Sequence, residues 1–96
     1  MHLLQITIAV TGTSQPIIPA AVVPDRILPF QQFIPQNNGM HNMRIGDAGV
    51  SATRGIILFP SGGSMNVCPQ LQYSGDLSEF YVNGTAGDVL DMMVLD

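Results

Sequence analysis

The sequence predicts an all-β protein, a small antiparallel β-sandwich or jelly roll of about seven or eight short strands. Ten glycines and seven prolines divide the 96 residues into short apolar segments. These segments are about four to nine residues long, which suits strands better than helices. Several of them alternate polar and apolar side chains with a period of two. Turn-forming residues recur at spacings of roughly ten residues, and no helix longer than about two turns is expected.

The N-terminal part is predicted to contain three extended segments. Residues 3–11 form the first, a half-buried strand. Its inward side carries Leu4, Ile6, Ile8 and Val10. Residues 15–24 contain three prolines, which cannot donate to a central ladder, so an edge strand or an extended loop is predicted there. Residues 26–34 are predicted as a further strand near an edge or bulge, and residues 35–39 as a turn.

The C-terminal part is predicted to supply the remaining strands. They cover residues 42–46, 54–60, 64–68, 78–82 and 88–95. Residues 47–53 are rich in small residues and are predicted as a loop. The 54–60 strand is apolar on both faces, which predicts cover on both sides, either by the second sheet or by a neighbouring subunit. Residues 83–87 are predicted to link the last two strands as a hairpin.

The chain is predicted to form a single domain over residues 1–96. Residues 1–25 either pack on the sandwich or extend as an arm onto a neighbouring subunit. Charged residues make up 10% of the sequence and lysine is absent, whereas about 25% is typical. Because a soluble monomer normally covers itself with charged side chains, this chain is predicted to bury much of its surface against other protein, as a homo-oligomer or with a different partner.

The charge balance excludes two classes of partner. The formal net charge is −4, and the only cations are three arginines, too few to neutralise the phosphates of a nucleic acid or an anionic membrane surface. No apolar stretch approaches the roughly 18 residues of a spanning helix, and no secretion signal is visible. Cys68 is the single cysteine, so no internal disulfide forms, which fits folding in a reducing cytoplasm.

The residue types that carry chemistry are scattered, so no enzyme activity, cofactor or metal is predicted. The glycine turn at residues 62–64 lacks the lysine of a phosphate-binding loop. His2, His41 and Cys68 are far apart in the sequence and lack the spacing of metal ligands. Three aspartates beside glycine-containing turns are better explained as turn caps than as calcium ligands. They are Asp47, Asp76 and Asp88.

Aromatic and methionine side chains are the best candidates for contact with other proteins. Phe30 and Phe33 are three positions apart, so in one regular strand they face opposite sides, and one is expected to be exposed in a monomer. Phe59 and Phe80 fit core positions of their strands. The predicted interface residues are Phe30, Phe33, Ile34, Tyr73, Met92 and Met93.

Two segments resemble a recurrent pattern of small virion proteins from tailed bacteriophages. Residues 43–56 carry a strand ending in Ile-Gly-Asp, a Val-Ser-Ala-Thr loop and a strand opening with Gly-Ile. Residues 75–88 are similar to the closing Asp-Leu-Ser-x-Ile-Tyr-Val-x-Gly-x-x-Gly-Asp hairpin of that family. The resemblance covers residues 42–96 in order and with similar spacing. The Met92–Met93 pair departs from the pattern, which has more polar residues there.

The resemblance implies a jelly-roll or sandwich module that is a structural part of the phage particle. A capsid cement or decoration protein is expected, which binds the major capsid protein across subunit seams and stabilises the phage head after synthesis in the host cytoplasm. A homo-oligomer, with a dimer favoured, fits a seam of two-fold symmetry. The alternative is a tail, collar or fibre-associated sandwich that serves as an adaptor or glycan-binding module. No catalytic residues, cofactor or metal accompany the family.

Overall fold

The computed structural model describes residues 2–18, 29–68 and 75–95 and is almost entirely β in these ranges. A single 3₁₀ turn, Leu77–Glu79, accompanies the strands. The strands are β1 (His2–Thr7), β2 (Gln15–Pro16), β3 (Pro29–Phe30), β4 (Gln32–Asn37), β5 (Met43–Gly46), β6 (Ile56–Leu58), β7 (Gly63–Ser64), β8 (Gly75–Asp76), β9 (Tyr81–Asn83) and β10 (Val89–Leu95). The all-β prediction is therefore confirmed.

The strands pair as one nested antiparallel ribbon. β1 pairs with β10, β2 with β9, β3 with β8, β4 with β7 and β5 with β6. The first half of the chain thus runs back along the second, and the ribbon reverses in the loop of residues 47–55. Two further pairings, β10 with β4 and β9 with β5, fold the ribbon over on itself.

Two four-stranded antiparallel sheets result from this folding. The first sheet has the order β1-β10-β4-β7, and the second has the order β2-β9-β5-β6. A double-stranded ribbon wrapped into two interleaved sheets is the jelly-roll arrangement. β1 and β2 are both integrated into these sheets, so the described part of the N-terminal segment belongs to the sandwich, whereas residues 19–25 lie outside the described ranges.

The core lies between the sheets and takes alternate residues from their strands. Leu4 and Ile6 of β1 and Met43 and Ile45 of β5 are buried, as their alternation predicts. Part of the core is an aromatic cluster of Phe30, Phe33 and Phe80. Phe33 packs edge to face on both Phe30 and Phe80, with ring centroids 4.9 Å and 4.8 Å apart respectively.

The prediction that Phe30 or Phe33 is exposed is wrong. The exposed fractions of the two residues are 1% and 0%. A single strand was expected over residues 26–34, but Gln31 interrupts it, so that Phe30 belongs to β3 and Phe33 to β4. The interruption resets the alternation, and both rings turn inward. Residues 26–28 lie outside the described ranges.

Two N-terminal boundaries also differ from the sequence-based expectation. β1 ends at Thr7, and the chain then turns at Gly12, which has a φ of 77°, so Val10 is 57% exposed rather than inward. β4 continues through Pro35 to Asn37, where a turn was expected. Pro35 is tolerated because its ring nitrogen faces the short edge segment that contains β7, which bonds to Pro35 only through its carbonyl, the acceptor for the N–H of Met65 at 3.3 Å.

The expected hairpin over residues 83–87 is wrong as well. β9 belongs to the second sheet and β10 to the first, so this segment crosses between the sheets. At its end the carbonyl of Ile8 accepts a hydrogen bond from the N–H of Gly87, while the N–H of Ile8 donates to the carbonyl of Asp88. Two residues thus oppose one in a β-bulge, which the φ of 92° at Gly87 accommodates.

The segment 54–60 contains a shorter strand than expected. β6 spans three residues at the edge of the second sheet, and Ile56 and Phe59 are 59% and 63% exposed. The core position expected for Phe59 is therefore wrong. β6 is an edge strand: Ile56 is exposed although it shares the inward side with the buried Leu58, and Ile57 on the outer side is half-buried. The segment 64–68 contributes only Ser64 and an isolated bridge at Val67.

Candidate functional site

Three apolar side chains form a continuous row across the outer face of the first sheet. Leu3 lies directly opposite Met93, and Met93 lies directly opposite Ile34. Leu3 is 72% exposed, Met93 is 38% exposed and Ile34 is half-buried. The three residues line a hollow of about 440 Å³. We call Leu3, Met93 and Ile34 the apolar row.

A polar row runs beside the apolar row. Gln5 lies opposite Asp91, and Asp91 lies opposite Gln36. The side-chain amide of Gln5 donates to Asp91 at 2.8 Å, and the amide of Asn38 donates to the other carboxylate oxygen. Asp91 is the one charged residue in the described lining of the hollow. The face therefore presents apolar and neutral polar groups around one carboxylate, which already accepts hydrogen bonds from two amides.

The predicted interface residues divide into three groups. Phe30, Phe33 and Met92 are core residues with at most 2% exposure, so their assignment to a contact surface is corrected. Met92 faces inward because it alternates with the outward Met93 along β10. Ile34 and Met93 lie on the surface, next to each other in the apolar row. Tyr73 lies outside the described residues.

Sequence reasoning missed Leu3, the most exposed member of the apolar row. Its alternation with the inward Leu4 and Ile6 was the available signal, because it places Leu3 on the opposite face of the same strand. That signal carries no information about which side chains from distant strands lie beside Leu3.

A second exposed apolar group lies in two adjoining loops. Met40 and Phe59 are 83% and 63% exposed. The loops that carry them are joined where the N–H of Ser61 donates to the carbonyl of Gly39 at 3.1 Å. Met40 and Phe59 thus give these two loops a second exposed apolar group.

The residues of segment 43–56 build the reversal of the ribbon. The carboxylate of Asp47 accepts a hydrogen bond from the N–H of Gly49 at 2.8 Å. The hydroxyl of Ser51 accepts from the N–H groups of Thr53 and Arg54 at 3.2 and 3.1 Å. These are Asx- and Ser/Thr-turn contacts. The motif residues therefore shape a loop, and these contacts give them no catalytic arrangement.

The two aspartates of segment 75–88 both accept main-chain hydrogen bonds. Asp76 caps the 3₁₀ turn by accepting from the N–H of Ser78 at 2.9 Å, which is the expected turn-capping role. Asp88 is 8% exposed and accepts from both the main-chain N–H and the imidazole Nδ1 of His41, each at 3.0 Å. Asp88 therefore holds a loop distant in sequence and does not cap its own turn.

The carboxyl of Asp88 has a perturbed pKa. Burial by itself raises the pKa of Asp88, but the hydrogen bonds from the His41 side chain and from the main chain of Met40 and His41 outweigh it. The pKa of Asp88 therefore lies below its ordinary value. This carboxylate is ionised at neutral pH and fixes the loop that precedes β5.

A smaller polar hollow of about 220 Å³ lies on the second sheet. Its described lining includes Arg44, Asn83, Thr11 and Thr85, without an aromatic side chain. Asn83 is 5% exposed, and its Nδ2 has no hydrogen-bond partner in the described part of the chain. Arg44 donates to the carbonyl of Gly55 at 2.9 Å. The hollow offers donors to a small acceptor such as water.

Residues 2–18, 29–68 and 75–95 contain no group of three or more His, Cys, Asp or Glu side chains placed to hold a metal ion. In the same ranges, no helix has the length and apolar character required to cross a bilayer.

The fold and its surfaces were compared with known proteins. No protein-family model, curated protein or solved structure matches this chain.

Proposed function

We propose that this chain is a structural protein of a tailed-phage virion, a cement or decoration protein that binds the major capsid protein across subunit boundaries and stabilises the head. The apolar row of the first sheet is the observation that carries the proposal. Leu3, Met93 and Ile34 project from three adjacent strands to one face, and the described residues leave that face open. Rows of this kind on a rigid sheet are suited to docking on another protein.

The charge distribution favours a protein partner. Seven acidic residues and three arginines are the formally charged side chains of the sequence, and Asp91 beside the apolar row is already hydrogen-bonded by two amides. A face with a single, already hydrogen-bonded charge loses less solvation free energy when it is covered than a face rich in charges, because few charges must leave water. The low charge and the apolar row thus favour the same kind of contact.

The phage-like segments 43–56 and 75–88 support the same proposal because their residues make the sandwich rigid. Their polar residues, among them Asp47, Ser51 and Asp76, hold turns by main-chain hydrogen bonds. A rigid jelly roll keeps its apolar row in fixed geometry, which reduces the entropy lost on docking. In a particle, many identical weak contacts add by avidity, so a modest affinity per copy suffices to hold a shell together.

The proposal is tested with heads of the phage that encodes the chain, assembled without it. The purified chain is mixed with these heads and sedimented, and heads that already carry the chain serve as the control. We expect saturable co-sedimentation at a fixed ratio to the major capsid protein, with a higher temperature of DNA release. A correctly folded chain that stays in the supernatant at every ratio would contradict the proposal.

A glycan-binding module of the tail or fibre is the second candidate, and the polar hollow on the second sheet is the observation that favours it. The unpartnered amide of Asn83 and the guanidinium of Arg44 are donors that a sugar hydroxyl or carboxylate accepts from. The described lining lacks the aromatic side chain on which sugars usually stack, so this candidate ranks second. Selective binding to one sugar on a glycan array, abolished by Arg44→Ala, would reverse the ranking.

A further inference from the structure

β1 is an edge strand whose outward main-chain groups can be identified. In the part of the chain that the structure describes, β10 is its one strand neighbour. Ile8 directs its N–H and carbonyl toward the segment that begins β10. Residues along an antiparallel strand alternate between the two sides. Ile6 and Leu4 therefore also face β10, whereas Thr7, Gln5 and Leu3 direct their main-chain groups toward the open edge.

The side chain of Gln15 covers the C-terminal part of this edge. Its Nε2 donates to the carbonyl of Thr7 at 3.1 Å, and its Oε1 accepts from the N–H of Ala9 at 3.0 Å. One amide thus makes the pair of hydrogen bonds that a neighbouring strand would make at this position. The edge beyond it, at Leu3 and Gln5, has no comparable cover from the described residues.

The uncovered part of β1 also lacks the features that protect edge strands. Natural sheets block their edges with lysine, proline, bulges or inward charges. The segment His2–Thr7 contains none of the charged residues Asp, Glu, Lys and Arg and no proline. The single bulge in this region lies at Gly87 and Asp88, on the strand opposite Ile8, beyond the end of β1.

We propose that the β1 edge pairs with the β1 edge of a second copy of this chain, antiparallel about a two-fold axis at Leu4. Leu3 of each copy then exchanges both main-chain hydrogen bonds with Gln5 of the other, and the two Leu4 residues face each other across the axis. This register uses the two described edge residues whose donors and acceptors Gln15 leaves open. A register shifted toward Thr7 would compete with Gln15 for the Thr7 carbonyl.

A second copy fits this edge better than an unrelated long strand. Among the described residues, the open stretch runs from Leu3 to Gln5 and is symmetric about Leu4, so each donor meets an acceptor when the partner is identical. Gln15 blocks a longer partner from continuing past Gln5. Pairing joins the two first sheets into one of eight strands and brings two apolar rows onto one face. The Asp91 carboxylates are then separated by three strand spacings, roughly 14 Å or more, which exceeds the screening length of about 8 Å in physiological salt.

The paired strands bury less surface than the roughly 1,200 Å² typical of a stable complex, so the dimer is expected to be weak in solution. The inference rests on the proposed function only in one respect: on a phage head, the two copies of the dimer would lie on either side of a two-fold seam. The pairing itself needs only the isolated protein, so its test is independent of capsid binding. A chain that dimerises without binding heads contradicts only the proposed function, and a chain that binds heads as a monomer contradicts only the pairing.

Sedimentation velocity of the full chain from about 10 μM to about 1 mM is the first test. The average mass is expected to rise from 10.3 kDa toward twice that value. Leu3→Pro removes an outward N–H while leaving the β1–β10 ladder intact, and it is expected to weaken dimerisation about tenfold or more. Leu3→Val retains the N–H and serves as the matched control. A parent chain that stays monomeric at the highest concentration overturns the proposal.

Gln15→Ala tests whether the Gln15 side chain limits the pairing of the β1 edge. It uncovers the Thr7 carbonyl and the Ala9 N–H, so self-association is expected at lower protein concentration than in the parent. Unchanged or weaker association of a folded Gln15→Ala chain overturns the inference that Gln15 limits the pairing to Leu3 and Gln5. If Leu3→Pro does not fold, amide hydrogen exchange of the parent decides: protection of the Leu3 and Gln5 amides must rise with protein concentration, and protection that does not change with concentration overturns the pairing.

Discussion

The side-chain amide of Asn37 donates a hydrogen bond to the main-chain carbonyl of Leu58 at 2.8 Å and thereby joins β4 of the first sheet to β6 of the second. The same Nδ2 donates to the carbonyl of His41 at 2.8 Å, and Oδ1 accepts from the N–H of Gly39 at 2.8 Å. Asn37 is fully buried. One amide therefore satisfies three main-chain groups in the loops where Met40 and Phe59 are exposed.

Asn37→Asp is expected to destabilise the fold by roughly 2–4 kcal/mol. The substitution keeps the shape of the side chain but replaces the NH₂ group with an oxygen that faces two carbonyls. Urea denaturation measures the free energy of unfolding. Asn42→Asp, at an exposed position, is the control and should change that free energy by less than about 0.5 kcal/mol. Equal stability of the two variants would show that the Asn37 network contributes little.

Asp88 is expected to make stability depend on acid pH. Its folded-state pKa lies below the ordinary pKa of an aspartate, so its contribution to stability is complete well above that ordinary pKa and is lost as pH falls through the lower, folded-state pKa. Asp88→Asn should destabilise the chain by roughly 1–2 kcal/mol at pH 7. Unfolding free energies of both proteins between pH 7 and pH 2 provide the measurement. A difference between them that stays constant over this range would contradict the prediction.

Gly39 is expected to tolerate no side chain, because it packs on Asp88. An ideal Cβ at Gly39 would lie 2.5 Å from both Cβ and Cγ of Asp88, so Gly39→Ala must displace the buried carboxylate. A loss of roughly 1–3 kcal/mol is expected, which thermal unfolding detects as a lower midpoint. Gly49→Ala is the matched control in an exposed loop, where the added Cβ meets only the side chain of Asp47 at 3.2 Å. The prediction fails if the two variants have the same midpoint of thermal unfolding.

Local alternation was enough to predict much of the fold. The period of two in the first strand assigned Leu4 and Ile6 to the core, where they lie, and Met43 and Ile45 of β5 follow the same alternation. The strand predicted at residues 88–95 agrees closely with β10. These assignments need only the face of a strand that its own neighbours define.

The errors arose where the answer depends on distant parts of the chain. Gln31 interrupts a strand that alternation treats as continuous, so Phe30 and Phe33 were assigned to opposite faces. Phe59 follows an edge strand, and exposure there depends on which strand lies beside it. The apolar row depends on a register that aligns Leu3 with Met93 across almost the whole chain. Such a register follows from sheet topology, which no local pattern specifies.

Phe33 and Phe59 are expected to differ sharply in their contribution to stability. Phe33→Ala removes a fully buried ring that touches Phe30 and Phe80, so a loss of roughly 3–5 kcal/mol is expected. Phe59→Ala truncates a ring that is 63% exposed and should cost less than about 1 kcal/mol. Denaturant unfolding of both variants makes the comparison. The opposite order would mean that Phe59, and not Phe33, is the core residue.

Met93→Gln is expected to weaken binding to phage heads without weakening the fold, because Met93 lies at the centre of the apolar row and is 38% exposed. Full burial of a Met side chain contributes roughly 1.5–3 kcal/mol, so covering the remaining third contributes about 0.5–1 kcal/mol. Burying an amide without a partner costs roughly 1–3 kcal/mol more, and together these terms lower the affinity per copy about tenfold or more.

Co-sedimentation of Met93→Gln with heads that lack the chain measures this loss of affinity. Val10→Gln introduces the same amide at a site that is 57% exposed and lies outside the row, so it should bind as the parent does. If the two variants bind equally well, a surface other than the apolar row makes the contact, and the loops that carry Met40 and Phe59 become the next candidate.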